Sequence, residues 1–175
     1  MTATEAYDLT TRGGAAGFAA IVAACESAGP YCLIGGLAVN AYVEPVYTLD
    51  ADIVVAAEHL ASLISALEQE GFVIQRHPDW VNAATPDSDL RIQFTTDPRY
   101  QDFPSRAVTD KVLGQSVRIA SLRDVVQGKL WAYSDPARRL SKRKKDELDL
   151  IRLAEAYPEL KALYPPLLVR QIEAG

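Results

Sequence analysis

Long apolar runs, cysteine, histidine and net positive charge are all scarce in this chain of 175 residues, and each scarcity excludes something. No apolar run approaches the ~18 residues that a membrane span needs, and no basic-then-apolar signal opens the sequence. The expectation is a cytoplasmic protein with no membrane partner. The two cysteines are Cys25, on an apolar helix stripe, and Cys32, in an apolar strand-like run. That placement predicts two buried free thiols rather than a disulfide. His77 stands beside Pro78 with no cysteine or second histidine near it, which argues against zinc. No Walker, nucleophile-elbow or zinc-ligand pattern occurs, so P-loop and triad-hydrolase chemistry has no support. A net charge of −5 excludes coating nucleic acid by bulk charge. There is no internal repeat and no low-complexity tract.

What is present is ordinary globular composition, 49% hydrophobic and 23% charged, enough for a real core in one domain with a small appended helical part. The stretch Tyr31–Val55 organises the rest. It has a short apolar run, the pair Gly35-Gly36, an apolar segment of helix length, and Asp50-Ala51-Asp52 leading into Ile53-Val54-Val55. On a strand, Asp50 and Asp52 share a face. Two carboxylates that close repel each other, and a bound cation, most often Mg²⁺, is the usual reason to tolerate them. The glycines permit close approach of the backbone to a ligand, and a helix starting after them aims N–H groups at an anion.

The remaining elements follow from periodicity. Residues 1–14 are weakly periodic and read as a partly ordered lead-in. Ala15–Ala28 is a helix with Phe18, Ile21, Val22 and Cys25 on one stripe, closed by Gly29-Pro30. A short helix covers Leu37–Tyr42. Glu58–Glu70 is an amphipathic helix carrying Leu60, Leu63, Ile64 and Leu67. Strands are expected over Phe72–Arg76, Val81–Ala84 and Leu90–Thr95. In the last, Leu90, Ile92 and Phe94 alternate with Arg91, Gln93 and Thr95. Ser105–Leu113 reads as a short helix and Ser116–Ala120 as a short strand. Ser121–Tyr133 and Lys142–Ala156 are helices, the second with Leu148, Leu150, Ile151, Leu153 and Ala154 apolar. Pro158 and Pro165-Pro166 punctuate short C-terminal helices. The order predicts an α+β fold: a mixed β-sheet flanked by helices over residues 1–120, with a helical C-terminal portion over 121–175.

The glycine pair, thirteen intervening residues and the Asp50-Ala51-Asp52 strand resemble the DNA polymerase beta-type nucleotidyltransferase superfamily. More narrowly, they are similar to the small bacterial group of AbiEii-type toxins and minimal nucleotidyltransferases. The segments Ser121–Leu130 and Lys145–Leu150 are similar to the helical half of those proteins. The resemblance implies an Mg²⁺-dependent nucleotidyltransferase that moves NMP from an NTP such as ATP to a hydroxyl. The implied acceptor is an RNA end such as a tRNA 3′ terminus, in a toxin-like role with an antitoxin protein as partner. Asp50 and Asp52 would hold the metal, and Gly35 and Gly36 would present N–H groups to the phosphates. Many relatives carry serine at the second glycine position, where this chain has Gly36.

A third carboxylate is usual on a later strand, where it ligates metal and helps deprotonate the acceptor. The matching residue here is Gln93, with Asp89 just before the strand and Asp97 just after it as candidate substitutes. Lys129 and Lys145 are candidate cations for the nucleotide phosphates. Alternatively, Lys129 snorkels to water from the edge of its stripe, and Lys145 pairs with Asp149 at i, i+4. Arg138, Arg139, Lys142, Arg143 and Lys144 form the basic cluster of the chain. Cations at a helix start oppose its dipole, and a phosphate-bearing partner such as RNA would account for them. Gln93 keeps a second class open: a catalytically weakened relative that binds nucleotide or a partner. A transferase acting on a protein or a small antibiotic is a further alternative.

Overall fold

The computed structural model describes residues 2–175. Its chain divides into two compact units, Met1–Ser121 and Leu122–Gly175. The first unit is a seven-stranded mixed sheet with helices. Its elements are α1 (Ala3–Thr11), α2 (Gly14–Ala28), β1 (Tyr31–Ile34), α3 (Gly35–Tyr42), β2 (Asp50–Val55), α4 (Ala57–Gln69), β3 (Val73–Arg76), β4 (Trp80–Ala84), β5 (Arg91–Thr95), β6 (Val108–Val112) and β7 (Gln115–Ile119). The second contains α5 (Leu122–Ser134), α6 (Leu140–Ala156), a 3₁₀ segment at Pro158–Leu163 and α7 (Pro166–Ala174).

The sheet order is β3-β4-β5-β2-β1-β7-β6. Strands β1 and β2 run antiparallel, joined by the short helix α3, while β2 pairs in parallel with β5 and β1 with β7. The outer hairpins β3-β4 and β6-β7 are antiparallel. The apolar face carries Ala51, Ile53, Val81, Ala83, Ile92 and Phe94, all buried. Helices α2 and α4 bring Phe18, Ile21, Leu63 and Leu67 into the same core. The period-two alternation of β5 is therefore a genuine two-faced strand, with Arg91 and Gln93 exposed between buried neighbours. Neither Cys25 nor Cys32 is in a disulfide and both are buried, and burial, with Glu26 nearby, pushes the Cys25 thiol up to about 12.

Two expected elements of the first unit need correction. Residues 3–11 are a helix rather than a loose lead-in. Its sequence signal is the capping box that Thr2 makes with Glu5: the Glu5 N–H donates to Thr2 Oγ1 at 3.1 Å and the Thr2 N–H donates to Glu5 Oε2 at 2.6 Å. Arg12 then closes the helix in the left-handed region at φ 51°. The segment expected as a helix over 105–113 is instead a 3₁₀ turn at Phe103–Arg106 followed by strand β6. Leu113 and Gly114 have φ of 50° and 79°, so a two-residue turn of the kind that joins twisted hairpin strands returns the chain into β7. β6 is an edge strand, with Asp110 and Lys111 exposed on it.

In the helical unit α5 packs on α6, with Val125, Val126, Leu130, Leu150 and Leu153 buried. The Tyr164 hydroxyl donates to the Leu150 carbonyl at 2.8 Å and anchors the chain leading to α7. Leu148, expected on the α6 stripe, is 50% exposed. Leu150, Leu153 and Ala154 define the buried face, and Leu148 falls off it on a 3.6-residue period.

Candidate active site

The glycine pair and the aspartates meet because β1 and β2 are antiparallel neighbours. Their register sets Ile34 opposite Asp52, so the residue after the strand end, Gly35, lies against the Asp52 side chain. Gly35 has φ +70°, and a Cβ added there would fall inside the Asp52 carboxylate, 3.0 Å from Cγ. Position 35 thus requires glycine twice, for its left-handed backbone and for the space. Gly36 differs: an added Cβ would stand 3.4 to 3.7 Å from Thr48 side-chain atoms, an ordinary contact. The serine common at this position in the resembling family fits the space.

The chain between α3 and β2 is held by side chains. Asn40 pairs like a strand with Val46, donating from Nδ2 to its carbonyl at 2.7 Å and accepting its N–H at 3.0 Å. Buried Thr48 accepts the Asp50 N–H at 3.3 Å. The Tyr42 hydroxyl donates to the Ala120 carbonyl at 2.7 Å. Asp50 and Asp52 therefore leave a braced loop, on one face of β2, both partly exposed.

Gln93 stands directly opposite Asp52 in the parallel β2-β5 register, and Arg91 opposite Asp50. The later strand is thus where the sequence placed it, with an amide at the position expected for an acid. Neither substitute acid takes that place. Asp89 is held bidentately by Arg12 at 2.6 and 2.7 Å, which keeps its carboxyl below the usual range. Asp97 is held by Arg99 at 2.7 Å, with the same effect on its carboxyl. Among the described residues no three His, Cys, Asp or Glu side chains cluster as a metal site. The donor set is two carboxylates and an amide oxygen, which suits a hard cation completed by phosphate oxygens and water.

Helix α1, which sequence reasoning missed, lies at this end of the sheet. The Asp89 N–H donates to the Thr11 carbonyl at 2.8 Å and Ser88 Oγ to the same oxygen at 2.8 Å, stapling the helix to the start of β5. The Tyr7 side chain of α1 is 5% exposed, and its hydroxyl has no hydrogen-bond partner. Burial chiefly, then the charge of Asp50 and Tyr47, raises its pKa. A buried hydroxyl without a partner contributes nothing by hydrogen bonding. Tyr7→Phe is therefore expected to leave the free energy of unfolding in urea unchanged within about 0.5 kcal/mol, or to raise it. A loss above about 1.5 kcal/mol would mean that the hydroxyl is bonded in solution.

Lys129 and the basic cluster lie in the helical unit. Lys129 neither snorkels nor stands open to solvent. It is 7% exposed, with its ammonium 2.9 Å from Asp146 and 2.7 Å from Asp149. Asp146 also accepts from Arg138 at 2.7 Å and Asp149 from Arg152 at 2.8 Å. Lys144 pairs with Glu147 at 2.6 Å. Asp149 thus serves both Lys129 and Arg152. The carboxylates of α6 and the buried face of α5 account for Arg138 and Lys144 without a partner molecule.

A sheet in this order, with α3 opening on a glycine pair against an aspartate strand, defines a nucleotidyltransferase-like fold. No protein-family model matches the chain, and neither does any curated protein. Among solved structures it is similar to the antibiotic-resistance factor ANT(2'')-Ia in solution, with TM-score 0.58 and 16% identity over 94% of this chain and 91% of that one. It is similar to ANT(2'')-Ia in complex with adenylyl-2''-tobramycin, with TM-score 0.60 and 16% identity over 92% and 97%. It is also similar to the lincosamide antibiotic adenylyltransferase LnuA, lincomycin-bound, with TM-score 0.50 and 16% identity over 72% and 86%. At such identity the likeness is one of fold.

Proposed function

We propose that the protein is an Mg²⁺-dependent nucleotidyltransferase that moves NMP from an NTP to a hydroxyl of a small molecule. The observation that carries this reading is the row Gly35–Asp52–Gln93, from the end of β1 across the adjoining strands β2 and β5, with Asp50 on the same face. Asp50 and Asp52 would hold the metal together with triphosphate oxygens, and the metal supplies charge neutralisation on the phosphates and the leaving pyrophosphate. Gly35 and Gly36 open α3, so their backbone N–H groups are available to the β- and γ-phosphates without a side chain between. Gln93 orients the acceptor hydroxyl or accepts from it but cannot take its proton, since an amide is no base, so the proton released as the hydroxyl oxygen bonds the α-phosphorus passes to water. The small-molecule acceptor is supported by the fold likeness to enzymes named for adenylylating antibiotics, and by the internal pairing of Arg138 and Lys144. The RNA acceptor and the toxin role have less support once those pairings are counted.

The second reading is a nucleotide-binding relative without turnover, favoured by Gln93 and by the engagement of Asp89 and Asp97 with arginines. One experiment separates the two. Wild type, Asp50→Ala/Asp52→Ala and Gln93→Asp are each given labelled ATP, Mg²⁺ and a panel of hydroxylated acceptors, and Mg²⁺–nucleotide binding is followed by calorimetry. Label is expected with wild type and absent from the double variant, and Gln93→Asp is expected to tighten Mg²⁺ and raise turnover. Binding without label in wild type supports the second reading. Equal label from wild type and the double variant overturns both.

A further inference from the structure

On the far side of Asp52 from the glycine pair, the same face of the sheet carries exposed and partly exposed side chains. Gln93 opposes Asp52, Asn82 opposes Gln93, and Gln75 opposes Asn82, so one polar row runs across β2, β5, β4 and β3. Two residues along β4 on the same face stands Trp80, 38% exposed. His77 stacks on it, with ring centroids 5.0 Å apart and planes at 26°, and the His77 Nε2 lies 3.4 Å from Asn82 Nδ2. Strand spacings put Trp80 about 12 Å from Asp52, the reach of a two-ring molecule.

The chemistry of the strip is selective. The part-exposed indole of Trp80 offers a planar stacking surface among polar side chains. Trp80 is braced by His77, so it offers a rigid apolar plane at small entropic cost. Beside it stand the amides of Asn82, Gln93 and Gln75, which can each donate to and accept from hydroxyls. On this face of β3, β4 and β5 the charged side chain is Arg91, and no carboxylate lies there. Asp79 is in the turn before Trp80. A polycation seated over Trp80 finds no carboxylate on β3, β4 or β5 and meets Arg91, since the carboxylates of the row, Asp50 and Asp52, lie on β2 at the metal site. A neutral ring carrying hydroxyls meets an aromatic plane, amides and a guanidinium donor.

We propose that this strip, Trp80–His77–Asn82–Gln93, seats the acceptor, and that the acceptor is a neutral hydroxylated ring compound such as a sugar or a nucleoside rather than a polycationic one. The inference rests on the transferase reading for the role of the bound molecule, and on the strip alone for its chemistry. The glycine pair lies on the β1 side of Asp52 and the strip on the β5 side, so nucleotide phosphates and acceptor approach the aspartates from opposite flanks.

The chain has two tryptophans, Trp80 and Trp131, hence two indole N–H signals in a ¹H–¹⁵N spectrum, assigned with Trp80→Phe. Wild type is titrated without nucleotide against maltose, adenosine and tobramycin in turn. The expected result is a saturable shift of the Trp80 signal with maltose or adenosine, weakened about tenfold or more in both Asn82→Ala and Gln93→Ala. Tobramycin leaves the signal in place over the same range. A shift with tobramycin at lower concentration than with either neutral probe overturns the proposal, and so does the absence of any shift. Calorimetry of Mg²⁺ with a non-hydrolysable ATP analogue keeps the two readings apart. If the Trp80 shift appears and nucleotide binding does not, the strip stands and the transferase reading falls. If nucleotide binds and no probe moves Trp80, the transferase reading stands and the strip falls.

Discussion

Gly35→Ala is expected to abolish nucleotidyl transfer and to weaken Mg²⁺–nucleotide binding, while Gly36→Ser leaves the fold intact and nucleotide binding equal or tighter. The two glycines are neighbours in sequence and opposites in environment. At Gly35 the φ of +70° alone costs an L-residue about 1–2 kcal/mol. The added methyl would also displace the Asp52 carboxylate, because it falls within the space that group occupies. Misplacing a reacting group by about 1 Å can cost on the order of a hundredfold in rate. A metal ligand moved off its partner loses the metal as well. At Gly36 the nearest atoms to an added Cβ belong to Thr48, at ordinary contact distance, and a serine hydroxyl there is one more donor for a phosphate. Calorimetry with Mg²⁺ and a non-hydrolysable nucleotide, together with thermal unfolding, checks both variants. A Gly35→Ala protein that binds as wild type would show that the close approach of Gly35 to Asp52 has no bearing on the metal.

Lys129→Met is the second large effect, and it concerns stability. Burial pulls the Lys129 ammonium down, but Asp149 and Asp146 more than offset it, so its pKa lies above the ordinary value. Removing it leaves Asp146 and Asp149, both almost fully buried, without the cation they share. Deleting one partner of a buried ion pair costs about 3–5 kcal/mol. Arg138 and Arg152 remain on the two carboxylates, which places the expected loss near the lower end, about 3 kcal/mol. The sign with pH follows from the raised pKa. A cation stabilised in the folded state contributes fully below its unfolded pKa of about 10.4 and is lost as pH rises through the higher folded value. Wild type should therefore exceed Lys129→Met in urea denaturation by a constant margin through neutral pH, narrowing only in strong alkali. A margin below about 1 kcal/mol at pH 7 would show that the two arginines alone satisfy the pair.

The correct expectations and the missed ones divide along physical lines. Alternation in Arg91–Thr95 and the 3.6-residue stripe of α2 are local consequences of a chain with one buried face, and both appear as read. The hairpin at Leu113-Gly114 was missed because leucine in the left-handed region carries no composition signal. Helix α1 was missed because its apolar period is weak, and its one clear signal is the Thr2–Glu5 capping box. Gln93 illustrates what can be read in part. Sequence places it on the polar face of a strand, but its position opposite Asp52 depends on a parallel pairing between strands 35 residues apart in β2 and β5.

By itself, then, the sequence determined the α+β order of elements, the shared face of Asp50 and Asp52, and the freedom of the backbone at Gly35-Gly36. These follow from spacing, side-chain period and the missing Cβ, all properties within a few residues. Tertiary structure alone decided which of the two glycines is irreplaceable, that Asp89 and Asp97 belong to arginines, and that Lys129 belongs to Asp146 and Asp149. Each of these depends on which distant group lies within about 3 Å, and that is set by strand register and helix packing.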